Sequence, residues 1–313
     1  MTRKIIIDCD PGIDDTIPLC MAMFDPRLEV LAITATAGTV DADQATSNAI
    51  AIVEQLDPQK YPRIGKASVP DDGPAIDDRD LNGSDGLGGC NLPEFPRQHL
   101  PLSEKVIAEL ARKFPNEVTV VCLGPTTNLG HLCRLDPGVL PLLDKIVIGG
   151  GAVNHVGNVT AAAEFNMYFD PVSAADVFAS ATTKSLVPLD LVDAISFGVD
   201  LLEKLPTKHS RVGNLLHKLL PFAFRAAHQR LGRELIPLRD ATTILSLLEP
   251  DLFSWESMAG RVETRGEWTR GMTVFDQRLR PEWPVNMEVA LGVDADEAQA
   301  MLVRGLRYAG QQS

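Results

Sequence analysis

Five short runs dense in Ile, Val and Leu constrain the fold of this chain more than any other feature of its sequence. The runs are KIIIDCD (4–10), EVLAITATAG (29–38), EVTVVCLG (117–124), DKIVIGGGAV (144–153) and KSLVPLDL (184–191). Near-continuous apolar runs of this length are typical of strands buried on both faces, and helical periodicity between the first runs predicts crossover helices. We therefore predict an α/β fold with an open, mainly parallel sheet and flanking helices.

The rest of the chain fits one domain over residues 1–313, because no break in composition calls for a second. Residues 66–100 are rich in Gly, Pro and Asp, which predicts a long irregular loop and not a linker. In the C-terminal third, helical periodicity covers 209–232 and 239–253. An antiparallel pair is predicted around 257–266 and 272–277, with its turn at 265–267.

Several of the apolar runs end in Gly, Asp or Pro, as in DCDPG, TAGT, CLGPT and IGGGA. In open parallel sheets, ligands bind in the crevice outside the carboxyl ends of the strands. The sequence therefore predicts that these separate segments converge on one binding site.

An unusual cluster of acidic residues lies at that edge. The stretch IIIDCDPGIDD brings Asp8, Asp10, Asp14 and Asp15 within eight positions. Carboxylates this close repel one another unless a positive charge joins them, and Ca²⁺ prefers such oxygen ligands. Asp14 and Asp15 are also good caps for a helix that begins near Thr16, so both a cation site and helix capping stay open.

Composition limits the classes of function. The net charge of −13 and the pI near 4.9 argue against electrostatic binding to nucleic acid or to an anionic membrane. No apolar run is long enough to span a bilayer, and the N-terminus lacks a secretory h-region. The five cysteines form no CxxC pair, which fits reduced thiols. We expect a cytoplasmic protein with a small-molecule ligand.

Four motifs together carry a family resemblance. They are DCDPGIDD (8–15), CLGPTTNLG (122–130), VGNVTAAAEFN (156–166) and TRGMTVFD (269–276). In this order, and over nearly the whole chain, they resemble the nucleoside hydrolases, of which the inosine-uridine-preferring type is best known. The resemblance implies the open α/β fold of that family with its C-terminal antiparallel extension, and hydrolysis of the N-glycosidic bond of ribonucleosides or related N-ribosides.

The resemblance also implies roles for individual residues. Ca²⁺ would be bound by Asp10, Asp15, the main-chain carbonyl of Leu123 and Asp240, and Asp10 would also accept a proton from the attacking water. Asp14 would bind a ribose hydroxyl and Asn166 the vicinal diol. The 5′ side of the sugar would be bound by Asn158 and Glu164, with Phe165 beside them, while Asp8 would have a supporting place.

The residue types suit this chemistry. Cleavage of a ribosyl C–N bond passes through an oxocarbenium-like transition state, which nearby carboxylates stabilise. In an extended segment, Glu164 and Asn166 would lie on one face and Phe165 on the other. Without the resemblance, Glu164, Asn166 and Asn158 are ordinary loop residues, and Asp240 is the N-cap of the following helix.

Three positions depart from the family pattern. Thr39 stands where well-studied members have Asn, Asn82 stands where many have His in the long loop, and Arg239 stands where the inosine-uridine type has His before the last metal-binding Asp. That histidine is the proposed proton donor to the leaving base. Arg239 cannot readily donate a proton but can hydrogen-bond an anionic leaving group, phosphate or carboxylate.

A replacement acid is expected in the segment 223–240. His228 is the first candidate, with Arg230 and Arg233 as charge stabilisers, and His155 is a weaker one; an exposed histidine at a helix end is the plainer interpretation of His228. Base preference is left open.

Two further classes of function stay open. One is a catalytically weak ribose- or nucleoside-binding protein of the same fold, and the other is a phosphatase-type acidic metal site. Members of the family are commonly homodimers or homotetramers, so we expect a homo-oligomer.

Overall fold

The computed structural model describes residues 2–72, 76–95 and 99–313, without the side chain of Val192. Its strands are β1 (Arg3–Cys9), β2 (Leu28–Thr36), β3 (Arg63–Ser68), β4 (Val118–Cys122), β5 (Lys145–Gly149), β6 (Lys184–Val187), β7 (Ser196–Phe197), β8 (Ile236–Pro237), β9 (Phe253–Met258), β10 (Gly260–Val262), β11 (Thr273–Phe275) and β12 (Met287–Val293).

The helices lie between these strands, mostly as crossovers. They are α1 (Ile13–Ala22), α2 (Ala42–Leu56), α3 (Arg79–Asn82), α4 (Ser103–Lys113), α5 (Thr127–Leu135), α6 (Phe165–Phe169), α7 (Pro171–Ala179), α8 (Leu201–Lys204), α9 (Arg211–Ala226), α10 (Arg239–Leu248) and α11 (Ala295–Gln312). A single π-helical turn (Ala227–Leu231) continues α9. No described helix combines the length and the apolar character that a membrane span needs.

An eight-stranded sheet forms the centre, in the order β3-β2-β1-β4-β5-β6-β12-β9. All its neighbouring strands are parallel except β12 and the edge strand β9. The pairs β10–β11 and β7–β8 are separate and antiparallel. The predicted α/β fold with an open, mainly parallel sheet and an antiparallel C-terminal part is confirmed.

Alternate residues of the strands pack against helices on opposite faces of the sheet. In β1, Ile5 and Ile7 belong to the core formed with α1, α2, α9, α10 and α11, whereas Ile6 belongs to the core formed with α4, α5 and α7. Both faces are therefore covered, which explains why the central strands are almost wholly apolar.

The strand order reverses direction between β1 and β4. From β1 the chain proceeds outward through β2 to β3, and then β4 returns to the other side of β1. This is the switch point at which open α/β sheets leave a crevice at the carboxyl ends of the strands. Asp10 and Leu123 come directly after these two strands.

The long segment after β3 is largely irregular, as predicted. Among its described residues, from 69 to 102, α3 is the one helix or strand that is formed, and β3 itself extends to Ser68, so the loop begins later than expected. The predicted C-terminal pair is β10–β11, but the connection between them spans 263–272 and closes with a hydrogen bond from Gly271 N–H to the Glu263 carbonyl (2.7 Å).

Close packing of α5 on α7 depends on a glycine. A Cβ built on Gly130 would lie 2.2 Å from the Cβ of Ser173, so the substitution Gly130→Ala must push the two helices apart. We expect a loss of about 1–3 kcal/mol in the free energy of unfolding, even though alanine is the better helix former. Urea unfolding measures this loss.

The matched control is Gly138→Ala, where a Cβ would meet nothing closer than 4.0 Å. This variant should unfold at the same urea concentration as the parent or at a slightly higher one. Equal stability of both variants would contradict the packing account.

A buried lysine predicts how stability depends on pH. Lys184 is 2% exposed and donates to the carbonyls of Ser180 (2.6 Å) and Thr182 (2.9 Å). Burial lowers its pKa from 10.5 to about 8. Below pH 8 the folded state carries a buried charge, and between 8 and 10.5 the unfolded state binds more protons, so stability rises with pH in that window.

We expect the parent to gain about 1–2 kcal/mol relative to Lys184→Met between about pH 7.5 and 9.5. Because both proteins contain all the other titrating groups, the contributions of those groups cancel in the difference between the two unfolding free energies. Parallel curves of unfolding free energy against pH for the two proteins would refute a lowered pKa for Lys184.

Candidate active site

Asp10 follows β1 and is held from three sides by backbone. Its Oδ2 accepts hydrogen bonds from the backbone N–H (2.6 Å) and the hydroxyl (2.9 Å) of Thr39. A Cβ on Gly38 would lie 2.2 Å from Oδ2, and one on Gly124 would lie 2.3 Å from Oδ1. The chain leaving β2 and β4 therefore passes directly against the carboxylate and fixes its place.

Helix α1 presents the next two carboxylates. It begins at Ile13, three residues before the predicted start, because Gly12 is its N-cap and Asp15 Oδ2 accepts from the Gly12 N–H (2.9 Å). Asp15 thus caps the helix with one oxygen, while its buried Oδ1 has no hydrogen-bond partner, and neither has Oδ1 of Asp14. Capping therefore uses one oxygen of Asp15 and leaves the other without a partner.

Helix α10 contributes Arg239 and Asp240. The helix begins at Arg239 with Leu238 as N-cap, so the expectation that Asp240 is the N-cap is wrong. Asp240 lies in the first turn, where the exposed backbone N–H groups favour a negative charge. Both side chains line the same cleft as Asp10, Asp14 and Asp15.

The AEFN motif is helical here, not extended. Glu164 is the N-cap of α6, where its carboxylate accepts from Met167 N–H (3.2 Å) and Gly151 N–H (3.0 Å). Asn166 Nδ2 donates to the carbonyls of Leu123 (2.7 Å) and Gly149 (3.0 Å). The expectation that Phe165 turns away from Glu164 and Asn166 is therefore wrong, because the start of a short helix turns all three toward the cleft.

Asn158, Asn82 and Asp8 have structural hydrogen bonds. Asn158 Oδ1 accepts from the Phe165 N–H (2.8 Å). The buried Asn82 accepts from the Ile13 N–H (3.0 Å) through Oδ1. Asp8 is fully buried and accepts from Thr34 (2.6 Å) and Asn128 (2.7 Å), which ties β1 to β2 and α5.

Apart from the buried Asp8, the side chains described above line one cleft of about 490 Å³. Its lining includes fourteen residues that the sequence singled out: Asp10, Asp14, Asp15, Thr39, Asn82, Leu123, His155, Asn158, Glu164, Phe165, Asn166, Arg233, Arg239 and Asp240. His228 is not among the lining residues; it lies in the π-helical turn, 64% exposed at its side chain, with Nδ1 2.9 Å from Glu234.

Sequence reasoning missed part of the lining. Asp77 and Asp78 precede α3, Asp193 follows β6, and Leu189 and Leu231 add apolar surface. No motif marks these residues in the sequence, since acidic residues and leucines in loops are common. Arg233, by contrast, was predicted to lie near the base, and it contacts Asp193 at the rim of the cleft (3.3 Å).

Burial, with a smaller contribution from neighbouring charges, raises the pKa of the acidic residues. Burial is the main cause for all four: the pKa of Asp10 and Asp240 is well above the usual range, that of Asp14 is about 7 and that of Asp15 about 6. Mutual repulsion adds to burial for Asp10 and Asp240, whereas the Arg239 guanidinium lowers the pKa of Asp14.

The donor set suits a hard cation. Carboxylate and carbonyl oxygens predominate, and the buried Oδ1 atoms of Asp14 and Asp15 lack partners. Within the described parts of the chain, no three His, Cys, Asp or Glu side chains form a ready-made metal group. The case for a cation therefore rests on the unpartnered oxygens and on the chemistry of the donors.

Solved structures share this architecture over its full length. The plant nucleoside hydrolase PpNRh1 superposes with a TM-score of 0.91 at 28% identity, covering 98% of this chain and 99% of that one. The purine-preferring ribonucleoside hydrolase from Gardnerella vaginalis gives 0.91 at 26% identity, covering 99% and 100%. Fold and site thus define a nucleoside hydrolase.

Sequence comparison makes the assignment more specific. Residues 5–300 match the family described as inosine-uridine preferring nucleoside hydrolase, and the chain belongs to that family. It is 33% identical to the non-specific ribonucleoside hydrolase RihC of Salmonella enteritidis PT4 (97% of this chain, 98% of the relative). It is 35% identical to the pyrimidine-specific ribonucleoside hydrolase RihA of Shewanella baltica OS185 (98% and 97%). The predicted family and the prediction of an enzyme are confirmed.

The clasp around Asp10 gives a test of this geometry. Gly124→Ala places a methyl group against Asp10 Oδ1 and must displace the carboxylate. We expect catalytic turnover to fall by about 10²-fold or more, since small misplacements of reacting groups have that effect. Ribose release from nucleosides measures turnover, and thermal melting confirms that the variant is folded.

Gly292→Ala is the matched control, because a Cβ at this position in β12 would make an ordinary contact, 3.4 Å from Ser254 Oγ. Its activity should equal that of the parent. A fully active Gly124→Ala enzyme would rule out a fixed Asp10 as a requirement for turnover.

Proposed function

We propose that this chain hydrolyses the N-glycosidic bond of ribonucleosides, or of closely related N-ribosides, in a Ca²⁺-dependent reaction that releases base and ribose. The convergence of Asp10, Asp14, Asp15 and Asp240 with Asn166 in one cleft carries the proposal. The relatives named as non-specific and pyrimidine-specific ribonucleoside hydrolases support it.

Asp10, Asp15, Asp240 and the Leu123 carbonyl are the groups that would hold Ca²⁺. The unpartnered Oδ1 of Asp15 is available as a ligand, and the Leu123 carbonyl keeps a lone pair beside its hydrogen bond from Asn166. When bound, the ion polarises water and ribose hydroxyls and offsets the charge of the cluster.

The side chains perform the remaining steps. Asp10, oriented by Thr39, accepts the proton of the attacking water. Asp14 binds a ribose hydroxyl and Asn166 the vicinal diol, while Asn158 and Glu164 bind the 5′ side of the sugar. As the C–N bond breaks, positive charge develops on the ribosyl ring, and the surrounding carboxylates stabilise it.

The leaving base meets different chemistry from that of the inosine-uridine type. A guanidinium is a hydrogen-bond donor and not a general acid, so Arg239 hydrogen-bonds the base or an anionic leaving group. Phe165 and Asn82 flank the cleft. A role for His228 as the acid requires its imidazole to leave Glu234 and enter the cleft.

We also propose that the chain acts as one domain in the cytoplasm and assembles into a homodimer or homotetramer. Light scattering coupled to gel filtration measures the assembly directly.

Removal of calcium is the first test. We expect chelation to reduce ribose release from inosine, uridine, cytidine, adenosine or guanosine by about 10²-fold or more, with recovery on addition of Ca²⁺. Calcium should also raise the melting temperature, because it binds the folded state. Turnover that is unaffected by exhaustive chelation would refute the calcium requirement.

Substitution of the proposed general base, Asp10, separates turnover from binding. Asp10→Asn should abolish measurable turnover, whereas a nucleoside should still bind in calorimetry through the ribose contacts. If the parent protein binds nucleosides but releases no ribose from any of them or from nicotinamide riboside, the chain is a binding protein of this fold.

A further inference from the structure

An apolar pocket of about 110 Å³ opens beside the acidic cleft. Leu220, Ala223 and Ile236 are among its walls, and it shares the polar side chains of Asp14, Asp78, Asn82, Arg233 and Arg239 with the cleft. A ribose held by the carboxylates of the cleft would direct its attached base toward this junction. The shared polar residues are therefore the ones that a leaving base meets first.

Among these shared residues, Asp78 is fixed by a chain of hydrogen bonds. The Ile13 N–H donates to Asn82 Oδ1 (3.0 Å), which settles the orientation of the amide and turns Nδ2 toward Asp78. Asn82 Nδ2 then donates to Asp78 Oδ2 (3.1 Å) and to the Asp78 carbonyl (3.3 Å). Since Oδ2 accepts this bond, a proton on the Asp78 carboxyl would be carried by Oδ1.

The surroundings of Asp78 keep a proton available near neutral pH. Burial raises its pKa to about 6, with a smaller contribution from the negative charges of Asp77 and Asp80, while Arg239 and the hydrogen bond from Asn82 oppose the shift. Asp14 and Arg233 are the other charged groups in the lining of the apolar pocket. General acids work best when their pKa lies near the operating pH.

Three other ionisable side chains in the lining of the cleft, Arg239, Glu164 and His155, are less suited than Asp78 to protonate a base. Arg239 does not give up its proton at neutral pH. Burial raises the pKa of Glu164, but the Gly151 and Met167 N–H groups hold its carboxylate outside the lining of the apolar pocket. His155 faces Asp193 on the rim (3.9 Å), outside the apolar pocket.

We propose that Asp78 is the general acid that protonates the leaving base, with Asn82 as its positioning residue. The proposal rests on the proposed ribohydrolase function. The C1′–N bond breaks with its electron pair going to the base nitrogen, which takes the proton from Asp78. The water oxygen bonds to C1′ and its proton goes to Asp10, after which exchange with solvent restores both carboxyl groups.

The test compares leaving groups in Asp78→Asn. This isosteric change keeps an acceptor for Asn82 but removes the transferable proton. We expect kcat/KM on uridine or inosine to fall by about 10²–10³-fold. The rate on 4-nitrophenyl β-D-ribofuranoside, whose phenolate leaves without protonation, should change by less than about threefold. This second substrate also reports whether the ribose site is intact.

Two further variants test whether the effect is specific to Asp78 and whether it depends on Asn82. Asp71→Asn removes the same kind of charge from the same loop, but its exposed carboxylate contacts Arg134 (3.1 Å) outside the cleft lining, so both rates should stay near those of the parent. Asn82→Ala should reduce the rate on nucleosides only. The alkaline fall of kcat on nucleosides should be present in the parent and absent from Asp78→Asn.

The outcomes separate the two proposals. A parent protein active on both substrates, with an Asp78→Asn variant that loses both equally or neither, would overturn the role of Asp78 and leave the ribohydrolase intact. A parent protein that cleaves neither a nucleoside nor the nitrophenyl riboside would overturn both.

Discussion

The repulsion among four carboxylates at one end of the sheet is the interaction around which this molecule is arranged. Asp10 follows β1, Asp14 and Asp15 lie in α1, and Asp240 lies in α10. Burial raises the pKa of all four, and repulsion from neighbouring carboxylates adds to it for Asp10, Asp14 and Asp240. Without a compensating positive charge, such a cluster binds protons and loses its value as a set of ligands. The position of the cluster is set by topology, because β1 and β4 flank the switch point.

Backbone groups, more than side chains, keep this repulsive cluster in place. Asp10 is clasped by Gly38 and Gly124, whose missing Cβ atoms leave room for the carboxylate, and Thr39 satisfies one of its oxygens. Asp15 completes the N-terminus of α1 with one oxygen and leaves the other unpartnered. Asp10 and Asp15 are thus oriented by the backbone at the ends of strands and at the start of a helix. The geometry of the site therefore depends on the packing of the sheet.

The sequence predicted the buried centre better than the edges, for a physical reason. Strands β1, β2, β4, β5 and β6 are covered on both faces and are therefore continuous apolar runs, whereas β3 (RIGKAS) and β9 (FSWESM) carry polar residues at or near the edge and resemble loops. The family motifs were recognisable in the sequence, but the start of a helix in AEFN was not, because the capping role of Glu164 depends on its contacts with Met167 and Gly151. Asp78 escaped for the same reason: its loop sequence is ordinary, and its contact with Asn82 depends on Ile13, distant in sequence.

The two halves of the cleft have opposite electrostatic requirements. In the proposed reaction, the ribose half gathers negative charge that favours a cationic transition state, and the base half must supply a proton beside that same negative charge. Arg239 stands between them: its guanidinium lowers the pKa of Asp14 and of Asp78, so it favours ionisation in both halves. Burial of Asp78 opposes Arg239 and keeps that one carboxyl near the point of protonation. A histidine at position 239 would supply a proton directly, whereas with an arginine there the acid must be a neighbouring side chain. In this proposal that side chain is Asp78. The hydrogen bond from Asn82, another position that departs from the family pattern, holds it in place.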